Sequence, residues 1–136
     1  MVAVAADVEA AAIAETIRRY IEAVEAKDLD RYAQIVAHDA DLAWYGSMPG
    51  QIVGWGEVET VMRGMFDSGA DFKITQSDLR IRFSPDMRLA WATCLWDWQE
   101  TTAGETAAVP VRCTWVLEHR DVDWLIVHWH KSVGVA

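Results

Sequence analysis

The most informative stretch of this sequence lies near its carboxyl end, where residues 124–132 read WLIVHWHKS. A run rich in β-branched and aromatic residues, without Gly or Pro, is typical of a β-strand. Neighbouring side chains of a strand point to opposite faces of the sheet, so Trp129 and Lys131 share one face while His128 and His130 share the other. The alternation alone leaves open which face points to the core.

Three further strands are predicted ahead of this one. Residues 88–101 and 108–119 are long segments of the same kind, and apolar residues alternate from Leu79 to Phe83 before a turn at residues 84–86. Short connections between such segments are typical of antiparallel pairing. The carboxyl-terminal half is therefore predicted to be an antiparallel sheet.

The amino-terminal half is predicted to be mostly helical. After a possible cap at Asp7, apolar residues recur at helical spacing in a first helix: Ile13, Ile17, Tyr20, Ile21 and Val24. Asp28 is placed to cap a second, shorter helix that ends near His38, and a third helix runs from Gly56 towards Gly69.

Between the second and third helices, residues 40–45 are predicted to form a strand and residues 51–54 a brief return strand. The Gly/Pro-rich residues 46–50 form the predicted turn between them. Helices followed by a run of strands indicate an α+β fold with the helices on one face of the sheet. A chain of 136 residues is of ordinary size for one domain, so we expect a single domain over residues 1–136.

Composition excludes several classes of partner. The apolar fraction of 52% and charged fraction of 24% are those of a soluble globular protein, and the formal charge of −9 repels nucleic acid and anionic membranes. The acidic amino terminus lacks the basic region of a signal peptide, so we expect a cytoplasmic protein. Cys94 and Cys113 are expected to be small core residues, with a disulfide between them as the alternative.

The eight tryptophans are unusual for a chain of this length. Surplus large aromatic side chains often line a ligand site or an interface, although they also serve as bulky core residues. The sequence contains no phosphate-binding loop motif and no recognisable set of metal ligands, so we expect no cofactor.

Two stretches resemble known families. Residues 19–30, RYIEAVEAKDLD, running into AHDAD at residues 37–41, resemble the opening of SnoaL-like and steroid delta-isomerase-like proteins. The closing stretch, residues 124–132, is similar to the last strand of the calcium/calmodulin-dependent protein kinase II association domain and its SnoaL-like relatives, and Arg112-Cys113-Thr114 is similar to an RxT motif of the same relatives. The resemblance implies the nuclear transport factor two-like fold, in which three helices pack on a strongly curved sheet to form a cone with an internal pocket.

This resemblance assigns faces to the strands. It implies that Val127, Trp129 and Lys131 point into the pocket and that both histidines point to the convex face. The pair His128 and His130 could otherwise bind a metal, but no further ligand is visibly placed to complete a shell, so we expect them at a sheet-to-sheet homodimer interface.

On the strand of residues 88–101, the resemblance places Cys94, Trp96 and Trp98 inside and Asp97 outside. Tyr20 corresponds to a tyrosine that donates a hydrogen bond to a developing oxyanion in the isomerases, and it is the candidate catalytic residue. The alternative is a core tyrosine with a satisfied hydroxyl. Trp44 stands where the isomerases have an aspartate base, so the resemblance does not extend to classical ketosteroid isomerisation.

The predicted pocket combines aromatic walls with cations. An arginine facing an apolar cavity needs a partner, and a carboxylate suits it, so we predict that a small hydrophobic or aromatic carboxylate binds Arg112. Two alternatives are that Arg112 pairs with Asp41 or Glu100, and that Trp115 replaces it because the opposite face of the strand is more apolar. The predicted ligand-binding residues are Trp44, Met62, Phe66, Trp96, Trp98, Arg112, Thr114, Trp129 and Lys131.

Two functions are compatible with these observations. The first is a small-molecule-binding protein, with an isomerase, cyclase or dehydratase as its enzymatic form. The second is a non-catalytic association module that oligomerises through the convex sheet face. A ligand-binding protein should leave a cavity of some hundreds of Å³, which an association module should fill with its tryptophans.

Overall fold

A computed structural model describes residues 2–46 and 49–134, with side chains from Ala5 onward. Within these residues, three helices and six strands follow one another. The elements are α1 (Val2–Ala26), α2 (Leu29–Ile35), β1 (Ala43–Tyr45), β2 (Ile52–Val53), α3 (Trp55–Phe66), β3 (Asp71–Phe83), β4 (Leu89–Thr102), β5 (Glu105–Arg120) and β6 (Asp123–Val133). The predicted turn after β1 includes Ser47 and Met48, which lie outside the described residues.

The helices agree with the predicted α+β class. Helix α1 begins at Val2, so Asp7 lies within it and the predicted cap there is wrong. Asp28 does cap α2, because its side chain accepts a hydrogen bond from the backbone N–H of Arg31 at 3.1 Å. None of the described helices is long and apolar enough to span a membrane.

The strands form one sheet in the order β2-β1-β6-β5-β4-β3. The three hairpins of the carboxyl-terminal half are antiparallel, as predicted. Strand β1 instead pairs in parallel with β6, placing Trp44 beside Trp129 and Tyr45 beside His130. The sheet is therefore mixed, because a strand from the helical half has been added to its edge.

Two register shifts bend the sheet. One lies between Ser77 and Arg80 of β3, where Asp78 has a φ of 54°, and the other lies where Val116 and Leu117 face β6. A bulge inserts an extra residue and increases the local twist, and the two together help to curve the sheet around the helices. On β6 the extra residue is Val127, since Leu117 pairs with Ile126 and Val116 with His128.

The bulge changes which side chains of β6 face inward. Trp124 and Ile126 are buried in the core, as is Trp129 on the other side of the bulge, whereas Val127 is only half-buried. The prediction that Val127 lies in the pocket is therefore wrong, and Trp124 and Ile126 do not share the outer face with the histidines. Strict alternation fails here because one residue has no partner on β5.

The core fills the space between the helices and the concave face of the sheet. Burial alternates strictly along β4, with Cys94, Trp96 and Trp98 inside and Asp97 outside, as the resemblance implied. Cys94 and Cys113 face each other across β4 and β5 as buried free cysteines, and no disulfide joins them. The convex face carries exposed apolar side chains instead, with Trp91 41% and Leu95 44% exposed.

Helix α3 is held above β1 by a tight connection at Gly54. This residue has a φ of 89°, and an added Cβ would lie 3.1 Å from the carbonyl oxygen of Ala40. Its N–H donates to the carbonyl of Leu42 at 2.7 Å. Both the positive φ and the close approach require glycine. Gly54 therefore fixes where α3 begins and where this helix lies over the sheet.

Candidate functional site: an aromatic cavity with one buried lysine

A cavity of about 480 Å³ lies between α1, α3 and the concave face of the sheet. Its walls are largely apolar and come from six elements together with the loop after β1. The lining residues are Tyr20, Val24, Trp44, Gly46, Ile52, Thr60, Val61, Met62, Gly64, Met65, Trp98, Glu100, Trp129 and Lys131. The volume is within the range of about 300–1,000 Å³ that is usual for small-molecule sites.

An aromatic cluster centred on Tyr20 forms the inner end of the cavity. The Tyr20 ring lies 4.9 Å from that of Trp115, 5.6 Å from that of Trp129 and 6.0 Å from that of Trp96, measured between centroids. Trp96 and Trp115 are fully buried. These two indoles fill the space beneath Tyr20, so the cavity lies beside the packed tryptophans and is not occupied by them.

The hydroxyl groups of Tyr20 and Tyr32 are hydrogen-bonded to each other at 3.2 Å. Burial raises the pKa of both phenols above their ordinary value. Both hydroxyls therefore stay protonated at neutral pH. Because one hydrogen bond engages one of the two O–H groups, the pair retains a second donor.

Among the described residues that line the cavity, Lys131 is the one with a positive charge. Its Nζ lies 4.0 Å from the ring centroid of Trp98 and 5.7 Å from that of Trp129, which are cation–π distances. Among the described residues, no carboxylate lies within ion-pair distance of Lys131 and it makes no hydrogen bond through its side chain. Burial lowers the pKa of this ammonium, while the neighbouring Cys113 and Glu100 oppose the effect.

Two indole N–H groups in the cavity wall also lack acceptors. The Nε1 atoms of Trp44 and Trp129 are buried and have no hydrogen-bond partner among the described residues. The Trp44 and Trp129 rings are neighbours, with centroids 5.3 Å apart. Both Nε1 atoms are themselves buried, so these two N–H groups are packed against the protein and are not exposed to the cavity.

Arg112 is not in the cavity. Val111, Cys113, Trp115 and Leu117 form the buried face of β5, so Arg112 and Thr114 are exposed on the convex face. The Arg112 Nε donates to Ser132 Oγ at 3.2 Å, and among the described residues Arg112 forms an ion pair with neither Asp41 nor Glu100.

The prediction that Arg112 and Thr114 line the pocket is wrong, and so is the predicted pairing of Arg112 with an internal acid. The alternative parity, with Trp115 inside, is correct. The alternation of apolar residues along the strand indicated the correct buried face, whereas the resemblance to an RxT motif did not. Any carboxylate anchor in the cavity must therefore be a residue other than Arg112.

The other predicted site residues divide into two groups. Tyr20, Trp44, Met62, Trp98, Trp129 and Lys131 line the cavity, and their roles in binding or catalysis stay predictions. Phe66 and Trp96 do not line it: Phe66 packs edge-on to Tyr32 at 6.1 Å, and Trp96 donates from Nε1 to Gln76 Oε1 at 3.2 Å.

The two histidines of β6 face away from the cavity and contact β1. His128 Nδ1 is hydrogen-bonded to the carbonyl of Ala43 at 2.7 Å, and the Tyr45 ring lies 5.6 Å from His128 and 5.4 Å from His130. In the part of the chain that the structure describes, no group of three or more histidine, cysteine or acidic side chains is placed to hold a metal.

Sequence reasoning missed part of the lining. On α3, Thr60, Val61, Gly64 and Met65 line the cavity, which is the spacing of one helix face. The stripe at Val61, Met62 and Met65 was visible in the sequence, but nothing there indicated that it lies beside an open cavity. Glu100, at the end of the inner face of β4, was considered only as a partner of Arg112.

Comparison with known proteins agrees with this architecture. A family model described as a SnoaL-like domain matches residues 13–136. A search of curated proteins found no match. Among solved structures, a candidate dehydratase of the nuclear transport factor two-like family from Streptomyces avermitilis has a TM-score of 0.88 at 16% identity, covering 96% of this chain and 99% of that one.

Two further structures represent other activities on the same fold. A candidate calcium/calmodulin-dependent protein kinase II association domain from Xanthomonas campestris has a TM-score of 0.76 at 21% identity, covering 93% of this chain and 86% of that one. A hexachlorocyclohexane dehydrochlorinase from Novosphingobium barchaimii has a TM-score of 0.79 at 17% identity, covering 94% and 88%. At these identities the likeness concerns the fold.

Proposed function

We propose that this chain, which belongs to the SnoaL-like domain family, binds a small aromatic or hydrophobic carboxylate in the cavity beneath α3. The single observation that carries the proposal is the position of Lys131, an unpaired cation in an aromatic cavity. A ligand carboxylate would supply the acceptor that the described residues do not provide.

The walls suit the rest of such a ligand. Trp98 and Trp129 flank the Lys131 ammonium, and Met62 and Met65 line the same cavity from α3. Flat indole faces offer stacking surface, and flexible methionine side chains adapt to ligands of different shape.

A reaction at this site would use Tyr20 as a hydrogen-bond donor to a ligand oxygen. Its phenol stays protonated because burial raises its pKa. Among the described residues that line the cavity, Glu100 is the one with a carboxylate. It is the candidate base, because the Trp44 side chain cannot move a proton. The relatives named as a candidate dehydratase and a dehydrochlorinase favour an elimination or isomerisation as the enzymatic form. Binding is the part of the proposal that the geometry supports best.

Tryptophan fluorescence tests the proposal directly. Phenylacetate should quench the native protein in a saturable way, whereas phenylacetamide, which has the same shape without the charge, should bind about tenfold more weakly or worse. Lys131→Met should remove this preference. Arg112→Ala is the matched control, because it deletes a cation on the convex face and should bind phenylacetate like the native protein. Equal binding of acid and amide by the native protein would contradict the proposal.

A second candidate function is homodimerisation through the convex sheet face. Leu89, Trp91 and Leu95 of β4 lie there with 38–44% of their surface exposed, and the structural relatives include association domains. Light scattering after size exclusion should give a dimer for the native protein and a monomer for Leu95→Lys. A native monomer would contradict this second proposal and leave the ligand proposal standing.

The cytoplasmic location predicted from the sequence is part of this proposal. The two buried cysteines face each other without a disulfide, which is in keeping with a reducing compartment.

A further inference from the structure

The chain contains three lysines, in three different environments. Lys27 is ion-paired with Asp71 at 2.8 Å and also donates to the carbonyl of Ala70. Lys73 is exposed on β3. Lys131 is half-buried in the cavity wall without an ion pair among the described residues. Of the three, Lys131 is the lysine that lines the ligand cavity, and it forms no ion pair among the described residues.

Burial has the largest influence on the protonation of Lys131, and it favours the neutral amine. The ammonium is flanked by Trp98 and Trp129, and burial lowers its pKa. A cation in an apolar site is poorly solvated, so more of the side chain is present as the free amine at neutral pH than for an exposed lysine. The amine nitrogen has a lone pair and is a nucleophile towards carbonyl carbon.

We infer that Lys131 condenses with an aromatic aldehyde or ketone that enters the cavity, forming a protein-bound Schiff base. The inference rests on the proposed function in one respect, since the same cavity must admit an aromatic compound. It goes further by assigning a covalent step and a second ligand class. The protonated lysine would hold a carboxylate, and the neutral lysine would attack a carbonyl.

The reaction needs no other reagent. The Nζ lone pair attacks the carbonyl carbon, and the nitrogen–carbon bond forms as the carbonyl π electrons move to oxygen. That oxygen then leaves as water, carrying the two hydrogens that the amine loses overall, and a carbon–nitrogen double bond remains. The titratable groups around this step are Tyr20 on α1, Glu100 on β4 and Cys113 beside Lys131 on β5. Tyr20 and Glu100 line the same cavity and are the candidates for exchanging protons with the leaving oxygen.

Reductive trapping tests the inference. The native protein would be incubated with benzaldehyde and cyanoborohydride near neutral pH, and the modified lysines identified by peptide mapping. Three lysines and the amino terminus make the map simple. Lys131 should be modified faster than Lys73, because burial lowers its pKa and leaves more of it as the free amine. Phenylacetate should protect Lys131 and leave Lys73 unaffected.

Two variants serve as matched controls. Lys131→Arg removes the nucleophile, so it should lose the fast adduct. Lys73→Arg should keep the fast adduct. Circular dichroism of both variants establishes that they are folded.

The outcomes separate this inference from the proposed function. Equal modification of Lys73 and Lys131 would overturn the covalent role, and native quenching by phenylacetate would then leave the binding proposal standing. Fast modification of Lys131 that phenylacetate does not slow would overturn carboxylate binding at Lys131 and leave the covalent role standing. If the native protein shows neither quenching nor preferential modification of Lys131, both are refuted.

Discussion

Replacing Gly64 by leucine is expected to stabilise the protein and to close its cavity at the same time. Gly64 lies in α3 and lines the cavity, and an added Cβ would meet nothing within 4 Å. Thr60, one turn earlier, lines the cavity too, so a side chain at residue 64 points the same way and extends over the cavity. The substitution therefore has an effect on the helix and a separate effect on the ligand.

The size of the first effect follows from helix propensity. Glycine in a helix costs about 0.5–1 kcal/mol relative to alanine, and leucine is nearly as favourable as alanine. Gly64→Leu should raise the free energy of unfolding by about that amount, which corresponds to roughly 2–4 °C in Tm for a domain of this size. Phenylacetate affinity should fall by about tenfold or more, because the new side chain occupies the ligand's space.

Thermal denaturation by circular dichroism and fluorescence titration measure the two effects. Gly56→Leu is the matched control: Gly56 also lies in α3 with nothing within 4 Å of an added Cβ, but it does not line the cavity. It should leave affinity unchanged. If Gly64→Leu binds phenylacetate as tightly as the native protein, the ligand does not occupy this cavity. If it is less stable than the native protein, the space above Gly64 is not open.

Three further predictions concern stability. Lys131→Met should be more stable than the native protein at neutral pH, because it removes an unpaired buried charge whose pKa is lowered. Urea denaturation at several pH values should show that this gain in the free energy of unfolding decreases as the pH rises from the native pKa of Lys131 towards the ordinary lysine value of about 10.4. Asp39 pairs with Arg120 at 2.6 Å, and the pKa of the Asp39 carboxyl is lowered. The ion pair should therefore stabilise the protein fully above the ordinary aspartate pKa, and this stabilisation should be lost as the pH falls through the lowered native pKa. Asp39→Asn should therefore unfold with a flatter acid dependence, and an acid transition identical to the native one would contradict this. Ile17→Ala, at a site with 0% exposure, should cost about 2–5 kcal/mol by urea denaturation, and a loss below about 1 kcal/mol would mean that α1 is not packed as described.

Much of the fold could be predicted from local patterns. Helical spacing identified three helices, and Asp28 was recognisable as a cap because its side chain replaces a missing hydrogen-bond partner at the helix start. Strict alternation along β4 identified its buried face, since this strand keeps an unbroken register through Cys94, Trp96 and Trp98. The parallel pairing of β1 with β6 could not be predicted in this way, because it joins residues far apart in the chain.

The incorrect predictions concern β5 and β6, where the face on which a side chain lies could not be read from the neighbouring residues alone. One extra residue at Val127 reverses the face of every later side chain on β6, and nothing in the residue itself marks it as a bulge. On β5, a resemblance to an RxT motif was given more weight than the apolar face containing Cys113 and Trp115, although burial favours apolar side chains over an unpaired guanidinium. The cavity itself depends on how closely α3 approaches the sheet, which sequence patterns do not report.

The central claim is that the Lys131 ammonium binds a ligand carboxylate inside the aromatic cavity. Isothermal titration of phenylacetate and phenylacetamide against the native protein and Lys131→Met gives the coupling free energy between the two charges as a double cycle. A charge-assisted hydrogen bond predicts a coupling of about 1.5–3 kcal/mol. A coupling near zero, with all four affinities alike, would contradict the account.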